Sequence, residues 1–149
     1  VGPADVVTCH HVLYNVADLG PFVAALTAHA RRLVVVELTA RHPLTPLNRL
    51  WERFHGLVRP EVPTAFDVLA LLEALGLAPS HEVWSQPDQS EHESFEDLVE
   101  VTRRRLCLVP SRAGEVASAL SELGTDSDRP VGIGPPGFDL VTIWWAGGV

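Results

Sequence analysis

Two apolar runs near the start of the chain flank a segment with helical spacing. Residues 4–9 (ADVVTC) predict a short strand, and residues 33–38 (LVVVEL) form a β-branched run typical of a strand buried on both faces of a parallel sheet. Between the two runs, apolar residues at i, i+3, i+4 and i+7 form one helical face: Leu19, Phe22, Val23 and Leu26. The pattern predicts a βαβ unit, in which a helix over residues 18–30 joins two adjacent parallel strands through a right-handed crossover.

The rest of the chain alternates between apolar segments and turn residues. We expect helices over residues 45–55, 64–75, 94–105 and 111–123, and strands over residues 81–85 and 138–145. Thr64, with Asp67 three residues later, resembles a capping box. The buried side of that helix is predicted to consist of Phe66, Leu69, Leu72 and Leu75. The polar stretch 86–94 (QPDQSEHES) predicts an exposed loop.

Two motifs look like phosphate sites, but each has a simpler structural interpretation. Arg103, Arg104 and Arg105 close a helix whose first turn is acidic, an order that suits the helix dipole, so we expect a solvated helix end. Residues 132–137 (GIGPPG) match G-x-G-x-x-G, but a loop precedes them and a strand follows. A phosphate loop needs a strand before it and a helix after it, so we expect a turn here.

The composition describes an ordered, acidic protein. The 149 residues carry a formal net charge of −8, and all 11 basic residues are Arg. This balance argues against a nucleic-acid partner, which would require a basic patch. Cys9 and Cys107 form no metal-binding or disulfide framework, which favours a reducing, cytoplasmic location. No apolar run approaches the ~20 residues that a membrane-spanning helix needs, so we expect no membrane partner.

Cys9, His10 and His11 stand at the end of the first predicted strand. Adjacent residues on a strand point to opposite faces, so the three side chains cannot converge on one ion, and the other histidines lack the spacing that would complete a zinc site. We therefore predict no metal site. A Cys–His nucleophile pair is disfavoured because neighbouring side chains diverge. The position of these three residues still indicates a ligand site, since open α/β sheets bind ligands just beyond the carboxyl ends of their strands.

Residues 4–26 (ADVVTCHHVLYNVADLGPFVAAL), followed by residues 31–38 (RRLVVVEL), resemble the fourth strand, the next helix and the fifth strand of class I S-adenosylmethionine-dependent methyltransferases. The later predicted elements follow the same family order. The resemblance implies an α/β fold that is part of a doubly wound, Rossmann-like sheet. That part comprises strands four to seven, with the last strand antiparallel between the fifth and the sixth.

The resemblance covers nearly the whole chain but only the C-terminal half of the family's domain. The family's first strand, glycine-rich loop and ribose-binding acidic residue would lie upstream of Val1. We therefore expect residues 1–149 to be the C-terminal part of a single methyltransferase domain. The inner edge of the 4–9 strand would then be exposed, which favours association into oligomers.

The resemblance also implies which residues meet ligands. In the family, the segment after the fourth strand packs along the methionine end of the cofactor and faces the substrate. This implies S-adenosylmethionine contacts from Cys9, His10 and His11, with Tyr14 and Asn15 near the substrate. The alternative is that His11 and Tyr14 only pack beneath the first helix.

The loop after the fifth strand opens on the same rim and would supply part of a substrate lid. Its aromatic and polar candidates are His42, Trp51, Phe54, His55 and Arg59. Trp51 and Phe54 also have a helical spacing that suits a core. His55 is a weak candidate for a base, because imidazole titrates near neutral pH. In-line methyl transfer depends mainly on the alignment of donor and acceptor, so no single catalytic residue is required.

The leading interpretation is methyl transfer from S-adenosylmethionine to an unidentified acceptor, with this chain as the C-terminal part of the enzyme and a small-molecule substrate as the expected partner. One alternative is a non-catalytic half-domain that completes a sheet with a partner chain. A second is another doubly wound, nucleotide-dependent enzyme. The residues that precede Val1 would discriminate between these classes: a strand with a glycine loop favours the methyltransferase, and a phosphate loop with a lysine favours the nucleotide-dependent enzyme.

Overall fold

A computed structural model describes residues 2–86, 92, 94–125 and 138–148. The helices are α1 (Leu19–His29), α2 (Asn48–His55), α3 (Ala65–Ala74), α4 (Phe95–Arg105) and α5 (Ala113–Glu122). The strands are β1 (Ala4–His10), β2 (Ala30–Thr39), β3 (Ser80–Gln86) and β4 (Phe138–Ala146). Short 3₁₀ turns span Leu13–Asn15, Thr45–Leu47 and Pro110–Arg112. The chain divides into two compact units, which we call the sheet unit (residues 1–43, 60–86 and 138–149) and the helical unit (residues 44–59 and 87–137).

The sheet has the strand order β1-β2-β4-β3. β1 and β2 are parallel neighbours, as the βαβ pattern predicted, and α1 connects them. β4 lies between β2 and β3 and is antiparallel to both. The predicted pairing of the last strand with the 33–38 run is therefore confirmed, with Val36 opposite Ile143 in the register.

The core of the sheet unit lies between one sheet face and the helices α1 and α3. Alternate strand residues form this face together with Val23 of α1 and Val68 and Leu72 of α3; the strand members are Cys9, Val34, Val36, Leu38, Val141, Ile143 and Trp145. The opposite face is less covered, since Leu33, Val35 and Trp144 are only half-buried.

Two of the four residues predicted for the buried side of α3 are exposed. Phe66 is 52% exposed and Leu75 is 47% exposed. The residues that α3 buries are Ala65, Val68, Leu69 and Leu72. A strict three-residue repeat moves around the helix by about 60° per step, because a turn has 3.6 residues, so its ends leave the buried face. The capping box is confirmed: the Asp67 backbone N–H donates to the Thr64 hydroxyl, and Asp67 Oδ2 accepts from the Thr64 backbone N–H at 2.7 Å.

The strand β1 forms one edge of the sheet. Within the described ranges it pairs with β2 and with no other strand. Ala4, Asp5, Val6 and Thr8 are all exposed, with Val6 at 48%. This edge therefore presents unpaired backbone groups beside apolar side chains, which is the arrangement that favours pairing with a further strand.

The helical unit has its own hydrophobic core. Leu50 of α2, Leu98 of α4 and Leu120 of α5 are each at most 2% exposed and pack in one cluster. α2 begins at Asn48 rather than at residue 45, because the first residues of the predicted helix form a 3₁₀ turn. Gly56 ends α2 with φ 64°, a left-handed conformation that glycine adopts without strain.

Two sequence predictions fail in the helical unit because polar groups are buried there. Arg103 is 8% exposed rather than solvated: its guanidinium pairs with Glu100 one turn earlier and donates to the Leu108 carbonyl. His92 lies in the predicted exposed loop, yet it is 8% exposed, with its ring 3.6 Å from the Asp97 carboxylate. Residues 87–91 and 93 of that loop and the 132–137 motif lie outside the described residues.

None of the helices in the described ranges is long and apolar enough to cross a membrane.

Candidate functional site

The carboxyl ends of β1 and β2 lie side by side because the two strands are parallel. His10 of β1 pairs in register with Glu37 of β2, and both side chains project to the sheet face opposite the core. The His10 Nδ1 atom is 3.5 Å from Glu37 Oε1, and the two side chains are 53% and 22% exposed. The pair is therefore long and open to solvent on the imidazole side.

His11 leaves the strand in a left-handed conformation, with φ 56°. This conformation costs an ordinary residue about 1–2 kcal/mol. The His11 backbone N–H donates to the Glu37 carbonyl at 2.8 Å, so the strand pairing continues into the turn and holds the backbone there. The exposed imidazole places its Nδ1 atom 3.1 Å from the Tyr14 hydroxyl. Histidine is one of the residues that adopt this region more readily than most.

Tyr14 lies in the 3₁₀ turn that follows, and this turn is anchored by Leu13, which is fully buried. The Tyr14 ring meets the His42 ring edge to face, with centroids 4.8 Å apart. Partial burial raises the pKa of the Tyr14 phenol above its ordinary value of 10.0, and the nearby Thr39 hydroxyl acts in the opposite direction. Tyr14 therefore keeps its proton at neutral pH and can donate it in a hydrogen bond.

Cys9 and Asn15 lie apart from this arrangement. Cys9 is 8% exposed and packs in the hydrophobic core, on the face opposite His10. Burial raises the pKa of its thiol above 9.0, so the thiolate is disfavoured. Asn15 is exposed at the end of the 3₁₀ turn.

The remaining predicted residues belong to the helical unit and form a stacked group of their own. The Trp51 ring lies 4.8 Å from the His55 ring and 5.3 Å from the Arg59 guanidinium carbon. The His55 Nε2 atom is 2.8 Å from the Leu106 carbonyl oxygen, so Nε2 carries the proton and donates it. The Trp51 indole N–H is buried and has no hydrogen-bond partner within the described part of the chain. Phe54 packs against the core and lies under Arg112, whose guanidinium carbon is 4.9 Å from the ring centre.

Of the predicted site residues, the structure brings four together at the edge of the sheet unit: His10, His11, Tyr14 and His42. Sequence reasoning missed Glu37 and Thr39, which belong to the same group. A signal was present, because these are the polar residues at the carboxyl end of the otherwise apolar β2 strand. In the described ranges, His, Cys, Asp and Glu side chains form no group of three that could hold a metal ion.

Comparison with known proteins supports the fold. No protein-family model matches the chain, and no curated protein sequence matches it. The crystal structure of the YcgJ protein from Bacillus subtilis is similar over 99% of this chain, with a TM-score of 0.54 and 14% sequence identity. A candidate methyltransferase from Bacillus halodurans, BH2331, is similar over 99% of this chain, with a TM-score of 0.48 and 11% identity. This chain spans 65% of the length of each. At this identity the likeness to YcgJ shows a shared α/β fold.

Proposed function

We propose that this protein supplies the C-terminal part of an S-adenosylmethionine-dependent methyltransferase that acts on a small molecule. The observation that carries the proposal is the strand order β1-β2-β4-β3, with β4 antiparallel and inserted between β2 and β3. This is the order of the fourth, fifth, seventh and sixth strands in the family that the sequence resembles. An antiparallel last strand at that place is a specific feature, since simple βα repetition would yield a wholly parallel sheet.

The edge of β1 supports the second element of the proposal, which is that further strands complete the sheet. Val6 is 48% exposed, and the half-buried Leu33, Val35 and Trp144 lie on the face that α1 and α3 leave uncovered. An open strand edge of this kind favours pairing with a further strand. A non-catalytic half-domain completed by a partner chain rests on the same open edge and is the second candidate function.

The polar rim of the sheet unit has the donors that an amino-acid-like ligand end requires. His10 and His11 expose imidazoles beside Glu37, and Tyr14 lies next to them as a neutral hydrogen-bond donor. His10 and His11 would hold the methionine end of S-adenosylmethionine, with Tyr14, Asn15 and His42 on the side of the methyl acceptor. Bound there, the cofactor supplies a methyl group for in-line attack, and the protein contributes alignment. Trp51 and Arg59 are proposed as ligand contacts of the helical unit.

Calorimetry with S-adenosylmethionine tests this proposal. We expect the 149-residue chain to bind the cofactor weakly or not at all and to self-associate. The chain expressed with the residues that its gene encodes immediately before Val1 should bind measurably and be monomeric or better folded. Failure of both forms to bind would contradict the methyltransferase proposal. A monomeric 149-residue chain with micromolar affinity would instead contradict the idea of an incomplete sheet.

The substitution His10→Ala tests the placement of the cofactor. In the form that binds S-adenosylmethionine, we expect a loss of affinity worth one or two hydrogen bonds, ~1–3 kcal/mol. His29→Ala is the matched control, because that exposed histidine is bonded to the Ala25 carbonyl within α1. Unchanged affinity for His10→Ala would return His10 to a structural role.

A further inference from the structure

Arg59 is a half-buried arginine that forms no ion pair with an acidic side chain in the described ranges. The other two described arginines that are buried or half-buried, Arg103 and Arg112, each pair with a glutamate. Removing a guanidinium group from water without a counter-charge is unfavourable. Arg59 therefore has a requirement for an anion that the described residues do not meet.

The backbone that follows α2 holds Arg59 against the helix. Gly56 ends α2 in its left-handed conformation, and the Asn48 side-chain amide then donates to the Arg59 carbonyl at 3.3 Å. The guanidinium carbon of Arg59 lies 5.3 Å from the centre of the Trp51 ring, one helical turn after Asn48. Neither contact uses the guanidinium N–H groups as hydrogen-bond donors. Their planar fork, which matches the geometry of carboxylate and phosphate, is therefore available.

The Trp51 ring contributes a second donor. Its indole N–H is buried and has no hydrogen-bond partner within the described residues. Buried donors in folded proteins nearly always have an acceptor. The neighbouring His55 ring, 4.8 Å from Trp51, donates through Nε2 to the Leu106 carbonyl. The stacked pair of Trp51 and Arg59 thus holds two donors for which the described part of the chain supplies no acceptor.

The segment that carries this pair is cationic, although the protein is acidic. Residues 44–59 contain Arg49, Arg53 and Arg59 against the single acid Glu52, a net charge of +2 with His neutral, whereas the whole chain carries −8. Arg53 is paired with Glu122, and Arg49 is exposed. A local excess of positive charge attracts anions, and Arg59 is the member of this segment that is both half-buried and unpaired in the described ranges.

We propose that the Arg59 guanidinium and the Trp51 indole N–H bind an oxyanion, either a carboxylate or a phosphate, on the methyl acceptor. The guanidinium donates two parallel N–H bonds to such a group, and the cation–π contact with Trp51 keeps it in place. This inference rests on the proposed function, in which Trp51 and Arg59 contact a ligand while the methionine end of the cofactor belongs to His10 and His11. It names the chemical class of that ligand.

An NMR titration of the 149-residue chain tests the site, with the Trp51 indole N–H as the signal. We expect benzoate or phenyl phosphate to shift this signal, and benzamide, the uncharged analogue of benzoate, to leave it unchanged. The indole N–H of Trp145, which donates to the Thr27 hydroxyl, is the internal control. A response to only one anion identifies the class as carboxylate or phosphate. A Trp51 signal that neither anion moves, or that benzamide moves equally, would overturn the proposal.

Substitutions in the same segment separate the guanidinium from general electrostatics. Arg59→Gln should weaken binding of the effective anion about tenfold or more, because it removes a charged hydrogen-bond donor, and Arg59→Lys should restore part of the loss. Arg49→Gln is the matched control, since it removes the same charge from an exposed position of α2 and should change the affinity little. Trp51→Phe keeps a ring but removes the N–H, and it should weaken binding about threefold, as measured from the Arg59 Nε–H signal.

Equal losses of affinity in Arg59→Gln and Arg49→Gln would contradict a built site. A Trp51 signal that shifts with S-adenosylhomocysteine and not with 5′-methylthioadenosine, which lacks the amino-acid carboxylate, would overturn the assignment to the acceptor, because the oxyanion would then be that of the methyl donor. Absent anion binding with intact cofactor binding contradicts this inference alone. Anion binding by a protein that binds no cofactor, with or without the residues before Val1, contradicts the proposed function and leaves the oxyanion site in place.

Discussion

The two units use their polar side chains in opposite ways. In the helical unit, three guanidinium–carboxylate pairs meet at short range: Arg53 with Glu122 at 2.5 Å, Arg103 with Glu100 at 2.5 Å and Arg112 with Glu115 at 2.7 Å. In the described part of the sheet unit, the ion pairs lie between 3.3 and 3.5 Å, and the groups at the rim are mainly His, Tyr and Thr. Ion pairs at short range indicate a structural role, whereas exposed hydrogen-bond donors are available to bind a ligand.

The causes of the pKa shifts follow the same division. Arginine partners lower the pKa values of Glu100, Glu115 and Glu122 in the helical unit. In the sheet unit, burial raises the pKa values of Cys9 and Tyr14. A polar residue is a candidate for ligand binding when its hydrogen-bonding groups are not already used within the protein, and its residue type alone is less informative.

The largest difference between the two units is expected in how a glycine-to-alanine substitution changes the free energy of unfolding. A Cβ at Gly147 would lie 2.7 Å from the Ala30 carbonyl carbon and closer still to its oxygen, so Gly147→Ala should force the backbone of the sheet unit to shift. We expect a loss of about 1–3 kcal/mol in the free energy of unfolding, or more, as for other overpacked sites. Urea denaturation measures this loss.

Gly114→Ala in the helical unit is the matched control. A Cβ there meets nothing within 4 Å, and the residue lies in the first turn of α5. Because alanine favours a helix over glycine, we expect a gain of up to about 1 kcal/mol. Equal effects of the two substitutions would contradict the close approach of Gly147 to Ala30.

A smaller effect distinguishes two adjacent arginines of α4. Arg103→Ala removes the buried partner of Glu100 and of the Leu108 carbonyl, and it should lower the melting temperature clearly. Arg104→Ala removes a 63% exposed side chain whose Nε atom is 3.7 Å from Glu100, and it should change the melting temperature little. Similar melting temperatures for the two variants would show that the helix end is solvated, as the sequence pattern suggested.

The smallest expected effect is a difference in pH dependence. The folded pKa values of Glu100, Glu115 and Glu122 lie below 4.5, so their contribution is complete above that pH and is lost as the pH falls through the folded values. The folded pKa values of Cys9 and Tyr14 lie above 9.0 and 10.0, because burial disfavours their ionised forms. These two groups therefore do not weaken the folded state at lower pH, but the free energy of unfolding falls as the pH rises through the folded values and the buried groups must ionise. Acid should therefore weaken the helical unit, and alkali the sheet unit.

The indole N–H signals of Trp51 and Trp145 report separately on the two units, because Trp51 packs against the helical core and Trp145 lies in the sheet core. Added salt should reduce the acid effect, since the paired groups are largely exposed. Asp67 is an exception within the sheet unit: hydrogen bonds from Thr64 lower its pKa, so its contribution too is lost on acidification. Equal loss of the Trp51 and Trp145 signals at each extreme of pH would contradict the expected difference between the units.

Local sequence patterns were enough to predict the elements and much of the strand arrangement. Apolar periodicity located β1, α1 and β2 within three residues, and the capping box at Thr64 and Asp67 formed as predicted. These predictions succeeded because periodicity and caps are local features. Each is encoded by a few residues that are close together in the sequence. The resemblance to a known family then supplied the antiparallel place of β4, which no local pattern contains.

The contacts among polar groups, in contrast, were set by the fold. It joined His11 to Tyr14 and packed the Tyr14 ring against His42, which is distant in the sequence. It also placed Cys9 in the core and Arg103 below the surface. Such contacts depend on the backbone beyond the strand end, including the left-handed turn at His11, and on partners distant in the chain. Side-chain type and spacing cannot specify them, because one histidine can donate, accept or pack according to the neighbour that the fold provides.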